Sequence, residues 1–223
     1  MTARQAILTI AVLAGGAGGA AEGRRAQQAV ADAYLTWTAQ HAEAVGKATY
    51  QRGRVGGFFD TRLLKTERSY NYKLAATWLT PEVIRATARL QQLRSRLSES
   101  DARTLVAEAE AVGGTVMIVE IDPREGSGII PAEWEAILQP KERPGQAVHG
   151  TVRPELRSVK GLTGVLQRNY DYDRFWVTFP QTRADGTALF VNADRVAELS
   201  VRIANKEGRV EWPIPTSVRL AAR

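Results

Sequence analysis

The chain has 223 residues, no cysteine, and 44% hydrophobic and 24% charged residues, which is the composition of an ordinary globular protein. The missing cysteine excludes disulfides, thiolate catalysis and cysteine-ligated zinc. The formal net charge of +6 comes from basic residues scattered along the chain. This scatter argues against a nucleic-acid partner and leaves an anionic envelope surface as a candidate.

The first 21 residues have the pattern of a secretory signal peptide. Arg4 precedes a short apolar stretch, Ala6 to Ala14, and small residues continue to Ala21. The apolar stretch is about half of the ~20 residues that a membrane-spanning helix needs, but it is long enough for a signal peptide. We therefore expect residues 1–21 to be removed and the mature chain not to span a membrane. The expected location is the bacterial periplasm or the secreted fraction.

Residues 22–66 are predicted to form an N-terminal helix and a linker. Between Ala26 and Thr49, apolar side chains recur at spacings of three and four residues, which is typical of one helical face. This stripe consists of Val30, Tyr34, Trp37, His41 and Val45. The glycine-rich sequence that follows has no sustained period and predicts a loop, in which Phe58 and Phe59 are candidate anchors.

An α+β domain is predicted over residues 67–223, and its first part has the clearest signals. Residues 70–79 suit a strand. Thr80 can cap a helix that begins at Pro81, and Ser98 or Ser100 can start a second helix. The two apolar stripes predict a helical hairpin over residues 80–113: Val83, Ala86, Leu90, Leu93 and Leu97, then Ala102, Leu105, Val106, Ala109 and Val112. Gly113 and Gly114 suit its left-handed end.

Trp78 lies directly before this helix start. A large apolar residue in that position can pack against the first helical turn, here at Ile84. We expect Trp78 to be buried at the junction of the helices and the sheet, and to take no part in binding.

The β-rich part covers residues 115–215. Strands are predicted at 115–122, 175–180, 187–191 and 197–204, and residues 209–215 pair back through a turn at 205–208. Asp185 and Gly186 predict another turn, residues 132–138 a short helix, and residues 139–145 a loop. Without regular helical crossovers the strands should pair antiparallel. The fold class is therefore α+β: N-terminal helices, including the hairpin, followed by an antiparallel sheet or sandwich.

The histidines and the glycine-flanked serine do not predict catalysis. His41 lies on the expected apolar face of the first helix, where a packing role is the usual one. His149 has no neighbouring ligand at metal spacing. Ser127 lacks the spacing of a nucleophile elbow.

Four acidic residues are candidate calcium ligands, because hard cations prefer carboxylate oxygens. Asp122 and Glu125 end one predicted strand, and Asp171 and Asp173 precede another. Their spacing does not match an EF-hand loop. The alternative is that they are solvated turn residues and that the protein has no cofactor.

Aromatic residues collect near these acids, as they do in a sugar-binding groove. The candidate ligand-binding residues are Trp134, Tyr170, Tyr172 and Trp176. The alternative for the two tryptophans is a structural role as core anchors.

The sequence thus favours an exported cell-envelope protein with a non-enzymatic binding or structural role toward an unidentified envelope partner. The alternative is an envelope hydrolase that acts on a glycan or another polymer through Glu120, Asp122 and Asp173. Glycosidases hold two carboxyl groups about 5–9 Å apart across a cleft. Clustering of these acids would favour the hydrolase, and dispersal on solvated turns would favour the binding role.

Overall fold

The computed structural model describes residues 31–55, 72–123, 133–163, 173–203 and 206–221. The expected signal peptide, Ser127 and the proposed anchors Phe58 and Phe59 lie outside these ranges. The described residues from Leu35 onward belong to one compact unit.

Three longer helices form within this unit. They are α1 (Ala39–Arg52), α2 (Pro81–Ser95) and α3 (Glu99–Glu110). Two short helices, α4 (Lys160–Thr163) and α5 (Thr216–Ala221), and a 3-10 turn at Pro154–Ser158 complete the described helical elements from Leu35 onward, apart from the turn before α1.

The predicted hairpin of α2 and α3 is confirmed, and its caps explain it. The Thr80 side chain accepts a hydrogen bond from the Val83 amide, and Pro81 occupies the first helical position. Ser98 and Asp101 form a reciprocal capping box at the start of α3. Each cap satisfies backbone donors that the first helical turn leaves unpaired. Gly113, at φ 69°, begins the left-handed exit that L side chains rarely adopt.

The continuous helix predicted between residues 26 and 49 is wrong in its described part. The chain forms a 3-10 turn at Ala33–Thr36, and α1 begins only at Ala39. Thr38 accepts a hydrogen bond from the His41 amide at 3.2 Å and so caps a new helix. A capping side chain competes with helix continuation. His41 is exposed, whereas Ala42 is buried.

Nine described strands form two antiparallel sheets, which confirms the α+β class. The strands are β1 (Arg54–Val55), β2 (Tyr72–Trp78), β3 (Thr115–Pro123), β4 (Trp134–Pro140), β5 (Val148–His149), β6 (Thr151–Val152), β7 (Asp173–Phe179), β8 (Val196–Ile203) and β9 (Lys206–Pro213). Sheet A has the order β1-β2-β3-β7-β6, and sheet B has the order β5-β4-β8-β9.

The two sheets share one hydrophobic core. Alternate residues of sheet A, such as Met117 and Val177, join alternate residues of sheet B, such as Leu138 and Leu199. Trp78 is 2% exposed, which confirms its predicted burial, but its ring lies in the core between the sheets, 5.7 Å from that of Phe190. The expected contact with Ile84 stays a prediction. The fold is therefore a sandwich, in which core-facing residues alternate with outward-facing residues along each strand.

The opposite face of sheet A is buried as well. Its residues alternate with those of the core and include Ala75, Thr77, Ile118 and Trp176. The helices are the described elements that remain to cover this face, and α2 and α3 both carry buried apolar stripes. The helical layer thus lies on one side of the sandwich.

The end of α1 closes one long side of the sandwich. The Trp212 indole donates a hydrogen bond to the Thr49 carbonyl at 3.0 Å, and the Thr49 hydroxyl donates to the Trp78 carbonyl. The Ala76 amide donates to the Gly53 carbonyl at 2.7 Å. These bonds tie α1 to strands of both sheets.

The other long side is closed by one kinked strand. β5 pairs with β4 in sheet B, and β6 pairs with β7 in sheet A, with only Gly150 between them. A Cβ atom on Gly150 would lie 2.4 Å from Val177 Cγ1 and 2.7 Å from Phe179 Cε1. Glycine is required there because the backbone crosses directly against the core.

Residues 132–138 were expected to be helical, but the described residues 134–138 belong to β4. This strand pairs with β8 over seven residues, from Trp134 opposite Ile203 to Pro140 opposite Ala197. Trp134, Ala136 and Leu138 alternate toward the core. Strand pairing and burial outweigh the local helix preference of Glu, Ala and Leu. The strand also takes up the first two residues of the loop predicted at 139–145.

Two other β predictions are wrong in detail. Residues 187–191 form no strand, and only an isolated bridge joins Thr182 to Ala188. Consecutive Leu189 and Phe190 are both buried, which a two-faced strand over one core does not permit. Residues 206–208, expected in a turn, belong to β9, although the predicted pairing of the last two strands is confirmed. The linker expected after α1 contributes β1 to sheet A.

We expect Gly150→Ala to destabilise the protein by about 1–3 kcal/mol, because the added methyl group overpacks the core at the kink. Gly46→Ala is the matched control, since Gly46 lies within α1 and a Cβ atom added to it would meet nothing beyond its own helix within 4 Å. It should stabilise by about 0.5–1 kcal/mol. Urea unfolding measures the free energy of unfolding of both variants. Equal changes in the two variants would contradict the close packing around Gly150 at the kink.

Candidate functional site

The kinked strand leaves part of its side of the sandwich open. Trp134, Val152 and Phe175 occupy core-facing strand positions there, and we call these three residues the seam. Trp134 and Phe175 are half-buried, and Val152 is 39% exposed. Core-facing side chains elsewhere in the sandwich are almost fully buried. The described residues thus leave an apolar opening only a few residues long.

The two seam rings contact each other across the sheets. The centroid of Trp134, on sheet B, lies 4.9 Å from that of Phe175, on sheet A, with the planes tilted by 56°. Both rings also pack against the core. A tilted aromatic pair at this distance is attractive, so the rings hold a fixed arrangement while presenting apolar surface.

Three carboxylates lie near the seam residues along their strands. Glu133 and Glu135 flank Trp134 along the chain, and Asp173 begins β7; all three are exposed. Arg202 stands opposite Glu135 in the sheet, but its guanidinium lies 3.4 Å from the Glu207 carboxylate. Arg153, which follows the seam residue Val152, is paired with Glu155. Both of these described arginines near the seam are therefore committed to carboxylates other than Glu133, Glu135 and Asp173.

The predicted groove residues are not all together. Trp176 is 6% exposed and lies on the helix-covered face of sheet A, one position from the seam residue Phe175. Strand alternation separates it from Trp134 by the thickness of that sheet. Tyr170 and Tyr172 lie outside the described residues. Phe175 takes the place beside Trp134 that the sequence suggested for Trp176.

The proposed calcium ligands fall mostly outside the description. Glu125, Asp171 and the side chain of Asp122 are not described, and Asp173 is exposed. The sheet register places Asp173 opposite Ile121, beside the backbone of Asp122. Convergence of the four acids therefore stays a prediction.

Glu120, the buried member of the proposed catalytic set, is held by an arginine. Arg174 stands opposite it on β7, and the Arg174 Nε donates to Glu120 Oε1 at 2.8 Å. The side chains are 4% and 18% exposed. Glu120 lies on the helix-covered face, whereas Asp173 lies on the face of Ile121. These two acids do not face a common cleft.

A second buried carboxylate, Asp194, was not singled out by the sequence. It is 1% exposed and accepts hydrogen bonds from Arg143 Nε at 2.8 Å and from the Val191 amide at 2.7 Å. Arg143 also donates to the Leu189 carbonyl. This pair fastens the irregular loop before β8 to the turn after β4. Its partners are 51 positions apart, so no local pattern announces it.

Both histidines are exposed in the structure. His41 lies on α1, where its ring meets the edge of Trp37 at 4.8 Å between centroids. His149 lies on β5, next to the kink. Neither belongs to a cluster of three or more metal-ligating side chains among the described residues.

Comparison of this chain with protein-family models, curated proteins and solved structures finds no match. Within the part of the chain that is described, no helix has the length and apolar character needed to cross a membrane. The roles of individual residues are therefore inferred from their own contacts.

The Asp194–Arg143 pair makes a testable contribution to stability. Burial alone would raise the pKa of Asp194, but the Arg143 guanidinium and the Val191 amide outweigh it and hold the pKa below its ordinary value. The ionised form is thus favoured in the folded state. Its contribution is present above about pH 4 and is lost as the pH falls further.

We expect Asp194→Asn to lower the free energy of unfolding by about 3 kcal/mol at pH 7, because it leaves Arg143 without its anion. Glu211→Gln, which breaks an exposed pair with Lys141, should cost at most about 0.5 kcal/mol. Urea titrations from pH 7 to 3 should show the Asp194 difference shrinking at the acidic end. A difference that stays constant would rule out the ionised carboxylate as its source.

Proposed function

We propose that this protein is an exported, non-enzymatic binding module of the cell envelope and that its partner contacts the seam formed by Trp134, Val152 and Phe175. The observation that carries the proposal is the incomplete burial of these three core-facing side chains. Aromatic anchors with one face on a rigid core are favourable contact residues, because little conformational freedom is lost when they bind.

The scaffold supports a binding role. The Trp134 ring is held by Phe175 and by the core, so its exposed face is preorganised. Strands of both sheets contribute to the seam, which gives a contact surface more rigid than a loop would give. The adjacent carboxylates supply polar specificity around an apolar centre.

The buried acids support a role without catalysis. Glu120 and Asp194 each accept hydrogen bonds from an arginine, and Glu207 is bound by Arg209. Burial alone would raise the pKa of Asp194 and of Glu207, but their arginines outweigh it and hold each pKa below its ordinary value, which makes these two carboxylates poor general acids. The hydrolase alternative requires carboxyl groups that face one another across a cleft. Glu120 and Asp173, the two members of the proposed catalytic set whose side chains are described, lie on opposite faces of sheet A.

Export is tested at the amino terminus. We expect the protein recovered from the periplasm or the medium to begin near Ala21 or Glu22, because the small residues before this point suit signal cleavage. Amino-terminal sequencing of the exported protein measures this directly. A mature protein that begins at Met1 or Thr2 would contradict the signal peptide.

Binding through the seam is tested with a matched pair of variants. Trp134→Leu removes the exposed ring while keeping an apolar side chain, and Trp37→Leu changes another half-buried tryptophan away from the sandwich. In pull-downs from envelope extract, Trp134→Leu should lose at least about tenfold of the captured partner. Trp37→Leu should retain it.

Thermal melting of both variants separates binding from folding. Equal capture by both would show that the seam is not the contact surface. Release of soluble fragments from isolated envelope glycan by the wild-type protein would favour the hydrolase over the binding role.

A further inference from the structure

The seam has an open backbone edge as well as exposed rings. β5 pairs with β4 only at Leu138 and Ile137, and the Gly150 amide then donates to the Ala136 carbonyl at 2.8 Å. The chain next crosses into sheet A. Beyond Ala136, toward the start of β4, no described strand continues along this edge of sheet B.

The direction of the backbone groups on this edge follows from the bonds nearby. The Lys141 amide donates to the Val196 carbonyl, so odd-numbered residues of β4 point their backbone toward β8. Even-numbered residues point toward β5, as the Gly150–Ala136 bond shows. The alternation of a strand therefore directs the N–H and C=O of Trp134 to the open edge. Among the described residues, no backbone group pairs with them.

The edge of sheet A at the same seam is less accessible. The Arg153 amide donates to the Trp176 carbonyl, and the 3-10 turn at Pro154–Ser158 packs against β7 directly after it. β4 is therefore the strand that can accept a neighbour. An added strand would continue the line of β5 and lie over the Trp134 ring.

We propose that the partner of this protein is a polypeptide that adds an extended strand to the open edge of β4, with apolar side chains against the seam and basic side chains toward Glu133 and Glu135. This inference rests on the proposed binding function and names the class of partner. Backbone hydrogen bonds to Trp134 supply the strand pairing, and alternate side chains supply the selectivity.

The charges decide which peptides fit. The exposed Glu133 and Glu135 alternate with Trp134 and so lie toward the outer face of sheet B beside the open edge, and Arg202, opposite Glu135 on β8, is ion-paired with Glu207. A strand that alternates apolar and basic residues places one set on the rings and the other beside the carboxylates. An acidic strand would meet like charges directly, which is unfavourable across neighbouring strands.

The test uses a capped ten-residue peptide of alternating valine and lysine as the probe, with the full-length mature protein. We expect saturable binding in a titration followed by tryptophan fluorescence and calorimetry. The same peptide with backbone N-methyl groups on alternate residues loses the donors of one edge. It should bind at least about tenfold more weakly when the methylated edge is the one that meets β4.

Two further comparisons separate strand addition from general adhesion. Replacing lysine by glutamate in the peptide should abolish measurable binding, and Glu135→Lys should weaken the valine–lysine peptide while leaving the melting temperature unchanged. Trp134→Leu should weaken it, and Trp37→Leu should not.

Two N-methylated peptides are compared, each methylated on one of the two sets of alternate residues. Equal binding by these two peptides would overturn strand addition. The valine–lysine peptide could fail to bind while capture of envelope material still depends on Trp134. That result would overturn the proposal that the partner is an added peptide strand, and it would leave the proposed function standing. Loss of both would overturn the proposed function as well.

Discussion

The shared core between the two sheets is the constraint on which the rest of this structure depends. A sandwich exposes its core along two sides unless other elements cover them. On one side α1 ends against both sheets, where Thr49 bonds to Trp78 and Trp212. On the other side a single strand changes sheets at Gly150. The helices, the kink and the seam all have their places because of how these two sides are closed.

Arginine–carboxylate pairs have two roles in this fold. One pair fastens segments that lack regular structure, and another balances a carboxylate buried on the helix-covered face of sheet A. Arg143 and Asp194 join a loop to a turn across 51 positions, and Arg174 neutralises Glu120 across two strands. Each pair offsets the cost of burying its carboxylate. The same contacts engage these acids in bonds that stabilise the fold.

The parts of the fold that the sequence predicted correctly are those with local causes. The hairpin follows from Thr80, Pro81 and Ser98, whose side chains or ring act within one helical turn. Residues 134–138 became a strand because β8 pairs with them from 61 to 69 positions away, and no local preference records that partner. Residues 187–191 have strand-like composition, but Arg143 and Arg183 satisfy the Leu189 carbonyl in place of a ladder.

In the candidate site, too, the sequence predicted what has a local cause and missed what depends on distant contacts. The sequence identified Trp134 but not its neighbours, because Val152 and Phe175 reach it only through the closure of the sandwich. Gly150 accounts for both the sealed core and the open edge. The chain crosses between the sheets at this residue and covers the core near Val177 and Phe179. Because the chain leaves sheet B there, β4 loses its neighbouring strand beyond this point. A chain that stayed in sheet B would pair the edge at Trp134 and leave sheet A unsealed. The open edge is thus a direct consequence of how the fold closes its core.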